Sequence, residues 1–228
     1  MVIGHGMVAK RFASYKENDD FVIFASGVSN SKNTDLNAYA RESVLLQTTL
    51  EKHKDKTLVY FSTCSIYDKG ESGSPYVIHK IKMETYIREN AAHYYIFRVS
   101  NLVGRSDNHN TILNFFKYHI TNKINFDLWN QSMRNLIDTD DMFSITDHIL
   151  QNHLYPNQVI NVANPVSYPV TDIVTSLESL LGVKANYISI PKGSQFTIDI
   201  GLILPIIREL QIAFGNQYMA SLIKKYYL

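Results

Sequence analysis

The strongest constraint on this 228-residue chain is an alternation. Short, continuous apolar runs recur at Phe21-Val-Ile-Phe-Ala25, Thr57-Leu-Val-Tyr-Phe61, Tyr94-Tyr-Ile-Phe-Arg98-Val99 and Val159-Ile-Asn-Val162, with stretches of helical composition between them. A run with no polar residue at alternate positions suits a strand buried on both faces, the condition of a parallel sheet covered by helices. The alternation therefore predicts an α/β fold with a doubly wound parallel sheet, whose ligands lie beyond the carboxyl ends of its strands. Helices are expected at Leu36 to Lys52, Pro75 to Asn90, 111–121 and Asp140 to Gln151, and extended segments at 124–128 and 134–137. After Pro165 the character changes: Pro169, Pro191, Gly193 and Pro205 punctuate short elements, with helices near 171–181 and 216–226. The expected division is a sheet domain at 1–164, with a substrate-facing segment at about 105–133, and a small lobe at 165–228.

Two motifs fall at strand ends. Val2-Ile3-Gly4-His5-Gly6-Met7-Val8-Ala9 reads as a strand tip, a tight turn and the start of a helix reaching Tyr15. This G-x-G-x-x-A outline is that of a dinucleotide phosphate loop, in which glycines permit the turn and a close approach of backbone to phosphate. Further on, Ser62-Thr63 closes the Thr57–Phe61 run with hydroxyls. Ser74-Pro75 then reads as N-cap and first helical residue, which places Tyr76 in the first turn of a helix. Lys80 follows Tyr76 by one turn on the same helix face. An ammonium so placed favours the phenolate, and a tyrosine able to exchange its proton near neutrality can serve a carbinol or carbonyl oxygen.

Composition narrows the classes. A formal charge of +1 provides no electrostatic case for nucleic acid or an acidic membrane surface. The single cysteine, Cys64, excludes an internal disulfide and suits a reducing compartment. No leader segment is expected ahead of the glycine turn, and no apolar run reaches the roughly 20 residues of a membrane helix. The eight histidines are scattered, so no metal site is expected.

Taken in order, these pieces resemble the extended short-chain dehydrogenase/reductase family, the NAD-dependent epimerases, dehydratases and ketoreductases of nucleotide sugars. The resemblance runs through the glycine turn, Phe24-Ala25-Ser26-Gly27, Phe61-Ser62-Thr63-x-x-x-Tyr67 and Pro75-Tyr76-x-x-x-Lys80 with Glu84. It continues in Arg98-x-x-Asn101-x-Val-Gly104 and Arg134-Asn-Leu-Ile-Asp-x-x-Asp141, and the C-terminal stretch looks like the tails of small polysaccharide-pathway members. It implies a Rossmann-like fold and NAD or NADP as cofactor, held by Gly4, His5, Gly6, Met7, Val8, Ala25, Ser26, Gly27, Ser62 and Val99 together with Tyr76 and Lys80. It gives Tyr76 the acid/base role, Lys80 a bond to the nicotinamide ribose, and Thr63 a bond to the reacting oxygen. Asn101, Asn110 and Arg134 would meet the nucleotide sugar, Arg134 at its diphosphate. A cytoplasmic homodimer through the helices at 36–52 and 75–90 is also implied.

The chain departs from that pattern in three places. Its glycine motif is one residue shorter than the family's usual G-x-x-G-x-x-G. Only 21 positions separate Gly6 from Gly27, where the family fits a further strand–helix–strand–helix stretch that includes the strand reading the adenosine ribose. The sheet is thus expected to be shortened after the first helix and the adenine half of the site curtailed. An alternative register makes Phe21–Ala25 that second strand, with Ser29, Ser31 and Lys32 reaching a 2′-phosphate. Finally, Cys64 and Ser65 stand where 4,6-dehydratases carry an acidic pair, which argues against dehydration. The expected activity is reduction of a nucleotide-linked ketosugar. Epimerisation is the next reading, then reduction of small carbonyl compounds lacking a nucleotide, or a non-catalytic relative with a reduced cofactor site.

Overall fold

The structure, a computed structural model, describes residues 1–106 and 108–228; Asp107, within the expected polar loop 105–110, lies outside the described residues. In chain order the first half comprises β1 (Val2–Ile3), α1 (Met7–Arg11), β2 (Phe21–Phe24), α2 (Leu36–Lys52), β3 (Thr57–Thr63), α3 (Pro75–Asn90), β4 (Tyr94–Val99) and β5 (Asn101–Val103). The second half comprises α4 (Ile112–Thr121), β6 (Phe126–Trp129), β7 (Met133–Asp138), α5 (Thr139–Gln151), β8 (Gln158–Val162), β9 (Ser167–Pro169), α6 (Val170–Leu181), β10 (Tyr187–Ile190), α7 (Leu204–Glu209) and α8 (Tyr218–Tyr227).

The central sheet is parallel with strand order β1-β2-β3-β4-β8, as the unbroken apolar runs require. All four residues of β2 are buried. One face packs against α1, α5 and α7 through Phe12, Met142, Ile145, Ile149 and Ile206; the other packs against α2 and α3 through Leu46, Met83 and Ile87. The helices begin where their caps stand. Asp35 Oδ1 accepts the Asn37 N–H at 2.9 Å, and Ser74 Oγ accepts the Val77 N–H at 3.3 Å with Pro75 next in line.

The sheet order decides between the two registers considered for Phe21–Ala25. In a dinucleotide-binding half the second strand lies on the far side of β1 from the strands that follow. Here β2 lies between β1 and β3, and β1 is the sheet's edge. The register that made β2 the ribose-reading strand is therefore incorrect.

A second core forms between the 105–133 segment and the C-terminal residues, where α4, β6 and β7 share one apolar cluster with α6 and α8. β6 pairs in parallel with β10, and β7 pairs with β5 on one side and antiparallel with β9 on the other. α1 is shorter than the expected helix to Tyr15. It ends at Arg11 and a 3-10 turn covers Ala13–Tyr15, because Phe12 and Tyr15 both turn into the core. Among the described residues no helix is long and apolar enough to cross a membrane.

Candidate active site

The carboxyl ends of β1 to β4 open into a cavity of about 470 Å³. Its floor is the turn after β1. Gly4 holds φ +119°, and a Cβ there would stand 2.4 Å from the Ala25 carbonyl oxygen, so glycine is required for β1 and β2 to end side by side. His5, Gly6, Met7 and Val8 line the cavity next to this turn, and Ala25, Ser26 and Gly27 line it from the end of β2. Ser62 and Thr63 enter from β3, Tyr76 and Lys80 from α3, and Val99, Ser100 and Asn101 from the end of β4. Asn110 lies on the same wall.

Tyr76 is 9 % exposed and packs with Val28, Tyr39 and Val77. Thr63 caps the short 3-10 turn that follows β3: its Oγ1 accepts the Ser65 N–H at 3.0 Å and lies 3.0 Å from Ser65 Oγ. The strand tip thus presents two adjacent hydroxyls where one was expected. Ser62 is committed elsewhere, donating to Glu84 Oε1 at 2.5 Å. Glu84 is in turn gripped by Arg98, whose Nε and Nη2 approach its oxygens at 2.6 to 3.2 Å. Burial alone would lower the Arg98 pKa, yet the Glu84 partnership raises it, so the guanidinium stays charged.

Lys80 lines the cavity and is also tied into the fold. Its side chain is 2 % exposed, and Nζ donates to Glu42 Oε1 and the Tyr60 hydroxyl, both at 3.0 Å, and more weakly to the Phe61 carbonyl at 3.4 Å. The Tyr60 hydroxyl donates to the same Glu42 oxygen at 2.6 Å, while Oε2 accepts the Val28 N–H at 2.6 Å. His79 Nε2 stands 3.1 Å from Oε2, off the line of a hydrogen bond. Burial would raise the Glu42 pKa, but the Lys80 charge and the surrounding donors hold it well below the carboxylate range. Burial, then the Glu42 charge, pushes the Tyr60 phenol far above its usual value. The ammonium, on a residue that lines the cavity, is therefore paired with a buried carboxylate.

Arg134 differs from the expectation: it is absent from the cavity wall, and its Nη1 donates to the Met133 carbonyl at 2.8 Å. Beside Lys80, the wall carries Arg41, which reaches Ser26 through its carbonyl at 3.2 Å and its hydroxyl at 3.4 Å. Arg41, Ser65, Ser100 and Glu42 were not singled out from sequence. Glu42 had a signal: Tyr39, Glu42, Leu46 and Thr49 form the buried stripe of α2, and an acid on such a stripe demands a partner. The described lining residues include no Asp or Glu. The remainder of the wall mixes neutral polar side chains, Ser29, Ser31, Ser106, Asn108 and Thr111 beside Asn101 and Asn110, with apolar ones, among them Phe24, Phe61, Leu102, Ile112, Phe196 and Ile198.

A parallel sheet with a glycine turn after its first strand, and a cavity at the strand ends lined by Tyr76 and Thr63, is the architecture of a dinucleotide-binding fold. The chain belongs to the NAD dependent epimerase/dehydratase family, whose model matches residues 9–163. A search of the curated proteins finds no match. Among solved structures, UDP-glucuronic acid 4-epimerase from Bacillus cereus, in complex with UDP-glucuronic acid and NAD, aligns with a TM-score of 0.74 at 19 % identity, over 91 % of this chain and 74 % of that one. dTDP-glucose 4,6-dehydratase from Bacillus anthracis, in complex with NAD, aligns at 0.67 and 17 % over 96 % and 77 %. RMD from Pseudomonas aeruginosa, complexed with NADPH, aligns at 0.64 and 14 % over 86 % and 80 %.

The residues present fit the diphosphate and nicotinamide parts of such a cofactor. A Cβ at Gly6 would meet nothing within 4 Å, so the turn leaves open space at the cavity. Ser100 Oγ, on the wall, is buried without a partner, a donor that a polar ligand would satisfy. The adenosine part has less to bind to, since no described strand lies outside β1.

Proposed function

We propose that this protein is an NAD(P)-dependent reductase of a nucleotide-linked ketosugar. One observation carries the reading: the cavity offers a tyrosine, two adjacent hydroxyls and many neutral polar groups, with no carboxylate among its described lining residues. Dehydration needs an acid and a base beyond the tyrosine, and the described lining residues offer no carboxylate for that work. The neutral polar groups on the wall suit a polyhydroxylated ring, and the apolar side chains beside them suit its faces.

The nicotinamide cofactor, when bound, supplies the hydride. Gly6, Met7, Ser26 and Gly27 would hold its diphosphate side, and Val99 and Ser100 its nicotinamide side. Tyr76 gives its hydroxyl proton to the substrate oxygen, and Thr63, with Ser65 beside it, donates a hydrogen bond that polarises that oxygen. Asn101 and Asn110 orient the sugar. Arg41 offers a permanent charge to a phosphate at the cavity mouth. Lys80 braces the helix that presents Tyr76. In the neighbouring 4-epimerase the substrate is a UDP-linked sugar acid, which supports a nucleotide-linked substrate here.

The exposed apolar side chains Leu36 and Val44 on α2 and Ile78 and Ile81 on α3 support a homodimer through these two helices. Ile81→Arg is expected to halve the mass measured by sedimentation.

The deciding experiment is NADH oxidation by the protein with a nucleotide-linked 4-ketosugar. Stoichiometric consumption is expected, and Tyr76→Phe should lower kcat by about a hundredfold or more while leaving the circular dichroism spectrum unchanged. Turnover that interconverts sugars without net NADH consumption would make the protein an epimerase instead. An undiminished Tyr76→Phe would remove the tyrosine from the chemistry altogether.

A further inference from the structure

After β10 the chain runs past the cavity as residues 192–200, which form no helix or strand. Phe196 and Ile198 line the cavity. Exposure alternates along the run: Ser194, Phe196, Ile198 and Ile200 are half-buried, while Gln195, Thr197 and Asp199 are exposed. That is the pattern of an extended segment with one face turned inward. Both ends are fixed. Gly193 holds φ +129°, and a Cβ there would collide with Ser132, so glycine is required. Ser194 Oγ donates to Asp68 Oδ1, and the Ser194 carbonyl accepts the Met133 N–H at 3.3 Å. At the far end Asn161 Nδ2 donates to the Asp199 carbonyl at 2.7 Å, while Asn161 Oδ1 accepts the Tyr67 hydroxyl at 2.9 Å. Ile200 then packs against the core. Between these anchors no backbone hydrogen bond joins 195–198 to a described backbone group. Phe196 and Ile198 belong to none of the apolar clusters of the core. Two large apolar side chains thus face the cavity with their burial incomplete, and a ligand there would complete it.

The run is anchored at the margin opposite the glycine turn: β1 is one edge of the central sheet, and β8, which carries Asn161, is the other. The lysine and the arginine among the described lining residues stand elsewhere. Arg41 is bonded to Ser26 after β2, and Lys80 is paired with Glu42. Taking as ligand the nucleotide-linked sugar of the reading above, on which this inference rests, we propose that Phe196 and Ile198 are specificity-determining residues. Residues 195–198 form a strap that gives the sugar half of the cavity an apolar wall, selecting an uncharged sugar over a sugar acid, and Asn161 is the positioning residue that holds the strap. A carboxylate on the sugar would lose its water against this wall with no cation to replace it, whereas the C–H face of a neutral ring packs on it.

The test is calorimetric titration of the NADH-loaded protein with UDP, dTDP and GDP, then with the glucose and glucuronic acid conjugates of the one that binds best. The parent should bind the glucose conjugate about a hundredfold more tightly than the glucuronic acid conjugate. Ile198→Arg, which puts a cation on the strap, should narrow that ratio below about tenfold. Phe196→Ala should weaken the glucose conjugate about tenfold and NADH less than about twofold, a split that general loss of structure would not produce. Asn161→Asp keeps an acceptor for Tyr67 but sets an oxygen against the Asp199 carbonyl. It should weaken the glucose conjugate about fivefold, again with NADH affinity within about twofold. Circular dichroism checks each variant for folding, and should Asn161→Asp not fold, the two strap variants decide. A parent that binds both conjugates within about threefold of each other would overturn the proposal, as would an unchanged affinity in Phe196→Ala. An Asn161→Asp variant that binds like the parent would remove the positioning role. If NADH, or all three nucleoside diphosphates, fail to bind at millimolar concentration, the nucleotide-sugar reading fails and this inference falls with it. Conjugates that bind without discrimination remove this inference only.

Discussion

Cys64 follows the reactive-looking Thr63 in sequence, yet its thiol faces the interior. Its Sγ lies 3.1 Å from the Arg98 carbonyl oxygen, and burial pushes its pKa up to about 12. A thiol whose folded-state pKa lies above its reference near ~8.5 favours folding while protonated. That contribution is complete below the reference value and is lost as pH rises toward the folded value. Two results are expected. At about pH 8 the native protein should resist a thiol reagent that labels it rapidly in urea. Between the reference and folded values, the parent's unfolding free energy should fall more steeply with pH than that of Cys64→Ala; equal slopes would show that the thiol does not titrate as described. The same dependence on neighbours explains which site residues the sequence disclosed. Tyr76, Thr63 and the glycine turn were legible because they are specified by local spacing and line the cavity accordingly. Lys80 lines it too, but its ion pair was not legible, because the partner Glu42 lies 38 residues earlier on another helix. Arg134 and Arg41 are likewise separated by tertiary placement alone: one turns back on its own strand and the other reaches the cavity.

Elements meet the site through buried polar bridges as well as apolar packing. Glu84 of α3 joins the Ser62 hydroxyl of β3 to the Arg98 guanidinium of β4, and Arg98 Nη1 continues to the Tyr67 hydroxyl at 2.9 Å. This chain fixes the tyrosine-bearing helix against the two strands whose tips form the cavity wall. Glu84 is 2 % exposed by its side chain and Arg98 22 %, so Arg98 keeps some access to water when its partner is lost. Glu84→Gln should therefore cost about 2–3 kcal/mol, just under the range for a fully enclosed pair. Urea denaturation with an unchanged m-value would measure it, and a loss under 0.5 kcal/mol, about that of an ordinary surface substitution, would deny the bridge its role. Long elements with marked ends were readable before any coordinates. α2 runs from Leu36 to Lys52 as its length and composition indicated, and α3 from Pro75 to Asn90 as its Ser74-Pro75 start indicated. β5, β9, β10 and α7 were not, since three to six residues carry too little periodicity to stand out and their partners are distant in sequence.

At the scale of the molecule, the decisive feature is the sheet's outer margin. β1 spans two residues and pairs with β2 alone among the described strands, so the glycine turn lies at the edge of the sheet instead of near its middle. In dinucleotide-binding folds the residue that distinguishes a ribose hydroxyl from a 2′-phosphate projects from the strand beyond β1, an acid for the hydroxyl or a nearby arginine for the phosphate. The short link from α1 to β2 supplies no such strand: after the 3-10 turn at Ala13–Tyr15 the chain passes directly into Phe21. With no described strand there to carry an acid or an arginine, NADH and NADPH should bind with dissociation constants within about threefold of each other, a difference of well under 1.4 kcal/mol. Parallel titrations of the two reduced cofactors by fluorescence or calorimetry measure this. A tenfold preference for NADH would require an acidic reader outside the fold described. A tenfold preference for NADPH that Arg41→Ala abolishes would place the 2′-phosphate on Arg41, at the Ser26 side of the cavity, and would mean that the adenosine folds back over β2 in place of extending past β1.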